Sequence, residues 1–145
     1  MEDRWREYFH FLDQIGELLE QLTELTKQKT EAARRADLPA VEACMKKEQA
    51  YSLNLRGMDR KRDKLLAGLG ISGVRLSGLS RACPPLLQNE ARETAERLHD
   101  RYQVFRSAQD VARHTLECNL HQMEKITGVS MDAETAGRPG TEFIA

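Results

Sequence analysis

The feature that most constrains the fold is the spacing of apolar residues, which recur every three or four positions over long stretches. In the first stretch, residues 2–35, two such rows run side by side along the chain. Because this spacing follows the turn of an α-helix, we predict one long amphipathic helix with a broad apolar face. The rows consist of Trp5, Tyr8, Leu12, Ile15, Leu19, Leu22 and Thr26, and of Phe11, Leu18 and Leu25.

Two further stretches show helical spacing. We predict a second helix over residues 38–67, where Asp37 can cap the first turn and Pro39 is tolerated because its missing N–H has no partner there. We predict a third long helix over residues 85–127. Its main row consists of Leu87, Ala91, Thr94, Leu98, Tyr102, Phe105, Gln109, Ala112, Leu116, Asn119, Met123 and Ile126. A second row consists of Val104, Val111 and Cys118, spaced seven residues apart.

Glycines and prolines separate the second predicted helix from the third. They break helices over residues 68–85, where Leu76 and Leu79 can still form one short helical turn. Short connections place successive helices antiparallel. The predicted fold class is therefore all-α: an elongated, coiled-coil-like antiparallel three-helix bundle with a short connector helix between the second and third helices. The helical domain is predicted to span residues 1–128, and residues 129–145, which lack periodicity, are predicted to form a disordered tail.

Charge, cysteine content and hydropathy exclude several classes of function. Lys plus Arg total 22 and Asp plus Glu total 23, so the chain lacks the broad positive field that favours nucleic acids and anionic membranes. The three cysteines include no Cys-x-x-Cys pair, which argues for a reducing compartment. The polar first residues do not resemble a signal peptide, and no apolar run approaches the roughly 20 residues that cross a bilayer. We expect a cytoplasmic protein that neither binds nucleic acid nor inserts into membranes.

No motif in the chain predicts catalysis or a cofactor. His114, Cys118 and His121 share a helical face, but no fourth metal ligand is evident and Cys118 also fits an apolar row. The charged run at residues 59–64 contains no stacking aromatic residue and is interpreted as a solvated helix face. The glycine-rich residues 68–73 lack the ending of a phosphate-binding loop. We therefore expect a protein that binds a partner and is not an enzyme. We expect it to have no catalytic residue, metal site or cofactor.

Apolar surface exceeds what a three-helix bundle needs. Each helix of such a bundle requires about three inward residues in seven, and the first helix and the second half of the third helix offer more. Three interpretations stay open: both rows are core, the surplus forms a homodimer seam, or the surplus binds another protein. Glu48 and Arg62 interrupt the apolar seam of the second helix and are interpreted as exposed or register-setting residues.

The second predicted helix carries a pattern typical of one protein family. The pattern consists of Ala36-Asp37-Leu38, Val41, Glu48-Gln49, Tyr51, Leu55, Met58, Arg62, Leu65-Leu66 and Gly70. These residues resemble the bacterial FlgN family, whose members are flagellar export chaperones. The order of parts is similar too, because a long first helix, this second helix, a short connector helix and a long third helix follow one another. The resemblance covers roughly residues 5 to 127.

The resemblance implies a function and a contact region. It implies a cytosolic chaperone that binds the C-terminal segment of hook-associated proteins at the hook–filament junction, prevents their premature assembly and delivers them to the flagellar type III export apparatus. By the same analogy, the C-terminal half of the third helix and the tail that follows it are the predicted contact region. The predicted partner-binding residues are Val111, Leu116, Leu120, Met123 and Ile126. The alternative function is a generic coiled-coil adaptor, or structural interaction module, unrelated to flagella.

Overall fold

The computed structural model describes residues 2–127 and 143–144, with the side chains of residues 2–119 and 143–144. All regular structure in this part of the chain is helical, which confirms the predicted all-α class. The helices are α1 (Glu2–Arg34), α2 (Leu38–Gly68), α3 (Leu79–Ala82) and α4 (Gln88–Thr127), with 3-10 turns at Leu76–Gly78 and Pro85–Leu87. Among the helices described, none is both long and apolar enough to span a membrane.

The turn between α1 and α2 follows from local hydrogen bonds. The N–H of Ala36 donates to the carbonyl of Ala33 at 3.1 Å. The N–H of Asp37 donates to the carbonyl of Ala32 at 2.9 Å, which completes a Schellman motif at the end of α1. Asp37 then caps α2, because its Oδ1 accepts a hydrogen bond from the N–H of Ala40 at 3.3 Å. The chain therefore reverses direction within three residues.

Helix α1 lies between α2 and α4 and packs against both, whereas α2 and α4 make few close backbone approaches to each other. The chain runs up, down and up, so α1 and α4 are parallel. Asp13 of α1 meets Arg97 of α4 at 3.2 Å, and Glu20 meets Arg101 at 3.0 Å. Gly16 allows Arg101 to cross α1 closely, since a Cβ at this position would lie 2.5 Å from Nη1 of Arg101. Packing is centred on α1.

Both apolar rows of α1 belong to the core. Leu12 and Leu19 of the first row have no exposed surface, and Leu18 and Leu25 of the second row are 5% and 6% exposed. Because α1 has a neighbour on each of two sides, it needs a wide apolar face to fill both contacts. For this helix, the interpretation that both rows are core is correct, and the apolar surplus of α1 is not available to a partner.

Glu48 and the buried threonines of α1 have partners within the hairpin. Nζ of Lys29 lies 2.8 and 2.9 Å from the two carboxylate oxygens of Glu48, so Glu48 links α2 to α1. The hydroxyl groups of Thr23, Thr26 and Thr30 donate to carbonyls one helical turn earlier at 2.8, 2.8 and 3.0 Å. These bonds satisfy each hydroxyl within its own helix, so threonine can occupy a buried helical face.

Two residues within the predicted tail of residues 129–145 pack against the bundle. Ile144 is 4% exposed and belongs to the core cluster that contains Trp5, Tyr8 and Leu66. Phe143 is partly buried against the same cluster. The sequence reasoning weighed only the missing periodicity, yet two adjacent apolar residues can bury themselves without forming a helix. The rest of the predicted tail lies outside the described residues.

Candidate partner-docking surface

A groove runs between the C-terminal part of α1 and the middle of α4. Its volume is about 540 Å³. We call it the α1–α4 groove. It is lined by Lys27, Thr30, Glu31 and Arg34 from α1 and by Gln103, Val104, Ser107, Ala108 and Val111 from α4. A cleft of this size, with aliphatic side chains on one wall, is suited to apolar side chains from another molecule.

The apolar wall of the α1–α4 groove is the second row of α4. Val104 is 54% exposed and Val111 is 48% exposed, and Cys118, two turns further on, is exposed as well. We call these three residues the outer row. On the inward side of the same helix, Phe105 and Ala112 are 3% and 1% exposed. Helix α4 thus has one buried row and one row that faces the solvent, because α1 is the long helix packed along it and α3, its other helical neighbour, has four residues.

The rim of the α1–α4 groove on α1 is charged. Nη1 of Arg34 lies 3.3 Å from Oε2 of Glu31, and both side chains are more than half exposed. Lys27, one turn earlier, adds a second cation, so the rim has one more positive charge than negative. An exposed pair of this kind contributes about 1 kcal/mol or less to stability, and its charges are free to respond to a partner. The rim favours a ligand with acidic residues beside its apolar face.

The five predicted partner-binding residues have different surroundings in the structure. Val111 lies in the α1–α4 groove, half exposed. Leu116 is partly buried against a small cluster of Ala32, Ala33 and Val41 at the hairpin turn, so its own chain already covers part of it. The remaining three positions lie on the last turns of α4, and their side chains are outside the described ones, so their role stays a prediction. They are Leu120, Met123 and Ile126.

Helix α4 continues beyond the point at which Leu116 packs against the hairpin turn. From Leu116 the helix runs on to Thr127, which adds roughly 16 Å at 1.5 Å per residue. We call this part the α4 extension. The predicted contact residues at positions 120, 123 and 126 lie on it. With 40 residues, α4 is longer than α1 and α2, which have 33 and 31.

Sequence reasoning missed part of the docking surface. It placed the contact region in the second half of the helix, whereas Val104 and Ala108 bring the groove one to two turns closer to its middle. The seven-residue spacing of Val104, Val111 and Cys118 was the signal that could have found it. The contribution of Lys27 and Arg34 has no signal in the sequence, because it depends on how α1 and α4 pair.

The histidine and cysteine residues show no metal centre in the part of the chain with described side chains. Nε2 of His114 lies 3.7 Å from Sγ of Cys118, and both side chains are exposed. No group of three or more potential ligands stands together among the residues searched. Burial raises the pKa of the Cys44 and Cys83 thiols, so the reactive thiolate form is disfavoured at both. His121 lies outside the described side chains.

The fold and the groove define an all-α protein with a solvent-facing apolar row and a charged rim, a surface suited to binding a helix. Comparison with known protein families identifies the family within this class. The family model described as FlgN protein matches residues 6–134. The chain belongs to the FlgN family, a family of flagellar chaperones. Comparisons with curated proteins and with solved structures find no match.

Proposed function

We propose that this protein is a cytosolic export chaperone that binds the C-terminal segment of hook-associated flagellar proteins and prevents their assembly before export. Membership of the FlgN family supports the flagellar role. The observation that carries the binding mode is the outer row of α4, where Val104 and Val111 stay about half exposed beside a preformed groove. The chaperone then passes its cargo to the flagellar type III export apparatus.

The geometry of the α1–α4 groove fits an amphipathic helix. Val104 and Val111 are two helical turns apart, or roughly 10 Å along α4. A cargo helix with apolar residues at positions i, i+3 or i+4, and i+7 presents its anchors with the same period. Acidic residues on the flank of that helix would meet Lys27 and Arg34 at the rim. The α4 extension lengthens the surface through positions 120, 123 and 126.

Binding of this kind combines protection with release. A disordered cargo segment that folds on the groove loses conformational entropy, and this cost offsets part of the gain from apolar burial. The resulting affinity is moderate, which suits a chaperone that must surrender its cargo at the export apparatus. Burial of the apolar face of the segment also removes the surface through which subunits would otherwise assemble.

The test is a comparison of two aspartate substitutions at exposed apolar positions. We expect Val111→Asp to weaken binding of a hook-associated protein's C-terminal segment at least tenfold, because a charge would replace an apolar anchor in the groove. Leu53→Asp is the matched control, since Leu53 is 65% exposed on α2, which contributes nothing to the groove lining. Isothermal titration calorimetry measures both affinities, and circular dichroism checks that helicity is unchanged.

The outcomes separate the proposal from its alternatives. Equal affinities for Val111→Asp and the wild type would exclude the groove as the cargo site. Failure of the wild type to bind any hook-associated segment would favour an adaptor unrelated to flagella. If sedimentation shows a dimer that Val111→Asp dissociates, the outer row is instead a homodimer seam.

A further inference from the structure

An arginine is buried where the sequence predicts a solvated helix face. Arg62 is 8% exposed, although its neighbours Arg60, Lys61, Asp63 and Lys64 are all exposed. Nη2 of Arg62 lies 4.0 Å from Oδ1 of Asp63, the limit of an ion pair. Its Nε and Nη1 are buried and have no hydrogen-bond acceptor among the described residues. The interpretation of residues 59–64 as a solvated helix face is therefore wrong at Arg62, which is buried on the apolar seam of α2.

Buried guanidinium donors without an acceptor are unfavourable, so the position points to a ligand. Tyr8 of α1 does not supply the missing negative charge. Burial raises the pKa of the Tyr8 phenol to about 12, an effect that the positive charge of Arg62 only partly opposes. The phenol is therefore neutral at physiological pH. Asp63, mostly exposed and 4.0 Å away, is a weak counter-ion.

The chain's own C-terminal residues occupy the surface beside Arg62. Cζ of Arg62 lies 4.2 Å from the centre of the Phe143 ring, which is the geometry of a cation–π contact. Ile144 inserts into the core cluster and is 4% exposed. Stacking on an aromatic ring uses the face of a guanidinium and leaves its edge donors available. Phe143 and Ile144 thus satisfy the apolar part of this surface and leave Nε and Nη1 for an acceptor.

We propose that this surface, the Arg62 site, is a second peptide-docking site that takes an aromatic–aliphatic segment with a carboxylate from a partner protein. Phe143 and Ile144 occupy the site in the free protein, and the partner segment displaces them. The ring of the segment stacks on Arg62, the aliphatic residue fills the place of Ile144, and the carboxylate accepts from Nε and Nη1. The site lies on α1 and α2 near Tyr8, so it is distinct from the α1–α4 groove.

The intramolecular occupant sets the conditions for binding. A segment tethered to its own site has an effective concentration in roughly the millimolar range, so a free peptide must compete against it. A short peptide should therefore bind well only when the chain's own occupant is weakened. This competition gives the proposal a measurable signature, because the affinity for a free peptide then depends on whether Phe143 and Ile144 occupy the site.

The experiment uses the full chain with Phe143→Ser and Ile144→Ser together, and a synthetic peptide Thr-Glu-Phe-Ile-Ala, the sequence of residues 141–145. Titrations are followed by amide NMR signals. We expect the peptide to bind the double variant at least tenfold more tightly than the wild type. Adding Arg62→Met, which keeps the bulk and removes the donors, should weaken that binding at least tenfold. A peptide with Ser in place of Phe and Ile is the control and should not bind.

Equal binding to the wild type and the double variant, or no binding to a folded double variant, would overturn the proposal. If the double variant does not fold, the wild type gives the answer alone. Millimolar peptide should then move the amide signals of Phe143 and Ile144 towards the values of a free chain, and unchanged signals would contradict displacement. A wild-type dimer that the two serine substitutions dissociate would also overturn it, because the occupant would then be a second copy.

Discussion

Helices α1 and α4 carry the same kind of sequence pattern, yet only one of them uses all of it for the core. Each has two apolar rows at helical spacing. In α1 both rows are buried, including Leu18 and Leu25, whereas in α4 the outer row stays open, with Val104 and Val111 about half exposed. The difference follows from position, because α1 has a long helix packed on each of two sides, whereas α4 has one long neighbour, α1, besides the four-residue α3.

The comparison teaches that the width of an apolar stripe does not by itself indicate a partner. A central helix needs a wide stripe to satisfy two neighbours, and a flanking helix with the same stripe has surface left over. In the part of α4 whose side chains the structure describes, the leftover surface lies at the α1–α4 groove. Substitutions that change stability in one helix and binding in the other test this difference directly.

The largest effect on the free energy of unfolding is expected when one residue of the second apolar row is truncated to Ala in α1 and, separately, in α4. Leu18→Ala in α1 should lower the free energy of unfolding by about 3 kcal/mol, because it removes buried methyl groups and leaves a cavity. Val111→Ala in α4 should change it by about 0.5 kcal/mol or less, since half of the side chain is already in water and Ala favours the helix. Chemical denaturation measures both. Similar losses for the two variants would mean that the rows do not differ.

A second effect concerns the coverage of the α1–α2 surface by Ile144. Replacing this residue with Ser should lower the free energy of unfolding by about 1–2 kcal/mol, less than the full value of a buried Ile because the segment regains freedom. The melting temperature should fall by a few degrees. Leu86→Ser is the control, because Leu86 is 94% exposed and its loss should leave the melt unchanged. An unchanged melt for Ile144→Ser would contradict this contribution and would support the prediction of a disordered tail.

The sequence was sufficient for the class of fold and, where side chains are described, for the inward rows of α1 and α4, because periodicity reports local amphipathicity. It could not show that Glu48 and Arg62, which lie on the same seam of α2, have different surroundings in the fold. Glu48 pairs with Lys29 across the hairpin, whereas Arg62 is buried beneath Phe143, 81 positions later in the chain. Such contacts depend on which segments meet in space, and spacing along one helix does not contain that information.

The candidate docking surface was likewise predictable only where it follows from spacing along one helix. The outer row of α4 follows from spacing, and Val111 was named from the sequence. Lys27 and Arg34 could not be assigned, because their place at the rim depends on the parallel register of α1 and α4. Leu116 shows the reverse case, in which a residue proposed for a partner is partly covered by the hairpin turn.

A third effect concerns the first row of α1 and depends on pH. Because burial raises the pKa of Tyr8 from 10.0 to about 12, the folded protein keeps a proton that the unfolded chain loses. Stability is therefore lost as pH rises above about 10, by about 1 kcal/mol at pH 11. Tyr8→Phe cannot lose a proton, so the wild type should become less stable relative to this variant between pH 9 and pH 11. A constant difference across that range would show that the phenol titrates normally.

The smallest effect concerns the turn at which α1 ends. The Schellman motifs that end α1 and α2 differ at one residue, because Ala36 adopts φ of 54° where Gly70 adopts 75°. A Cβ is disfavoured in the left-handed region, so Ala36→Gly should raise the free energy of unfolding by about 0.5–1 kcal/mol. Gly70→Ala is the reverse control. No heavy atom lies within 4 Å of an added Cβ at Gly70, so any loss there reports the backbone alone.

A loss of stability in Ala36→Gly would show that the greater flexibility of glycine in the unfolded chain outweighs the relief of strain. With the end of α1 firmer and the outer row unchanged, cargo affinity should stay the same, which separates the stability of this turn from the binding surface of α4.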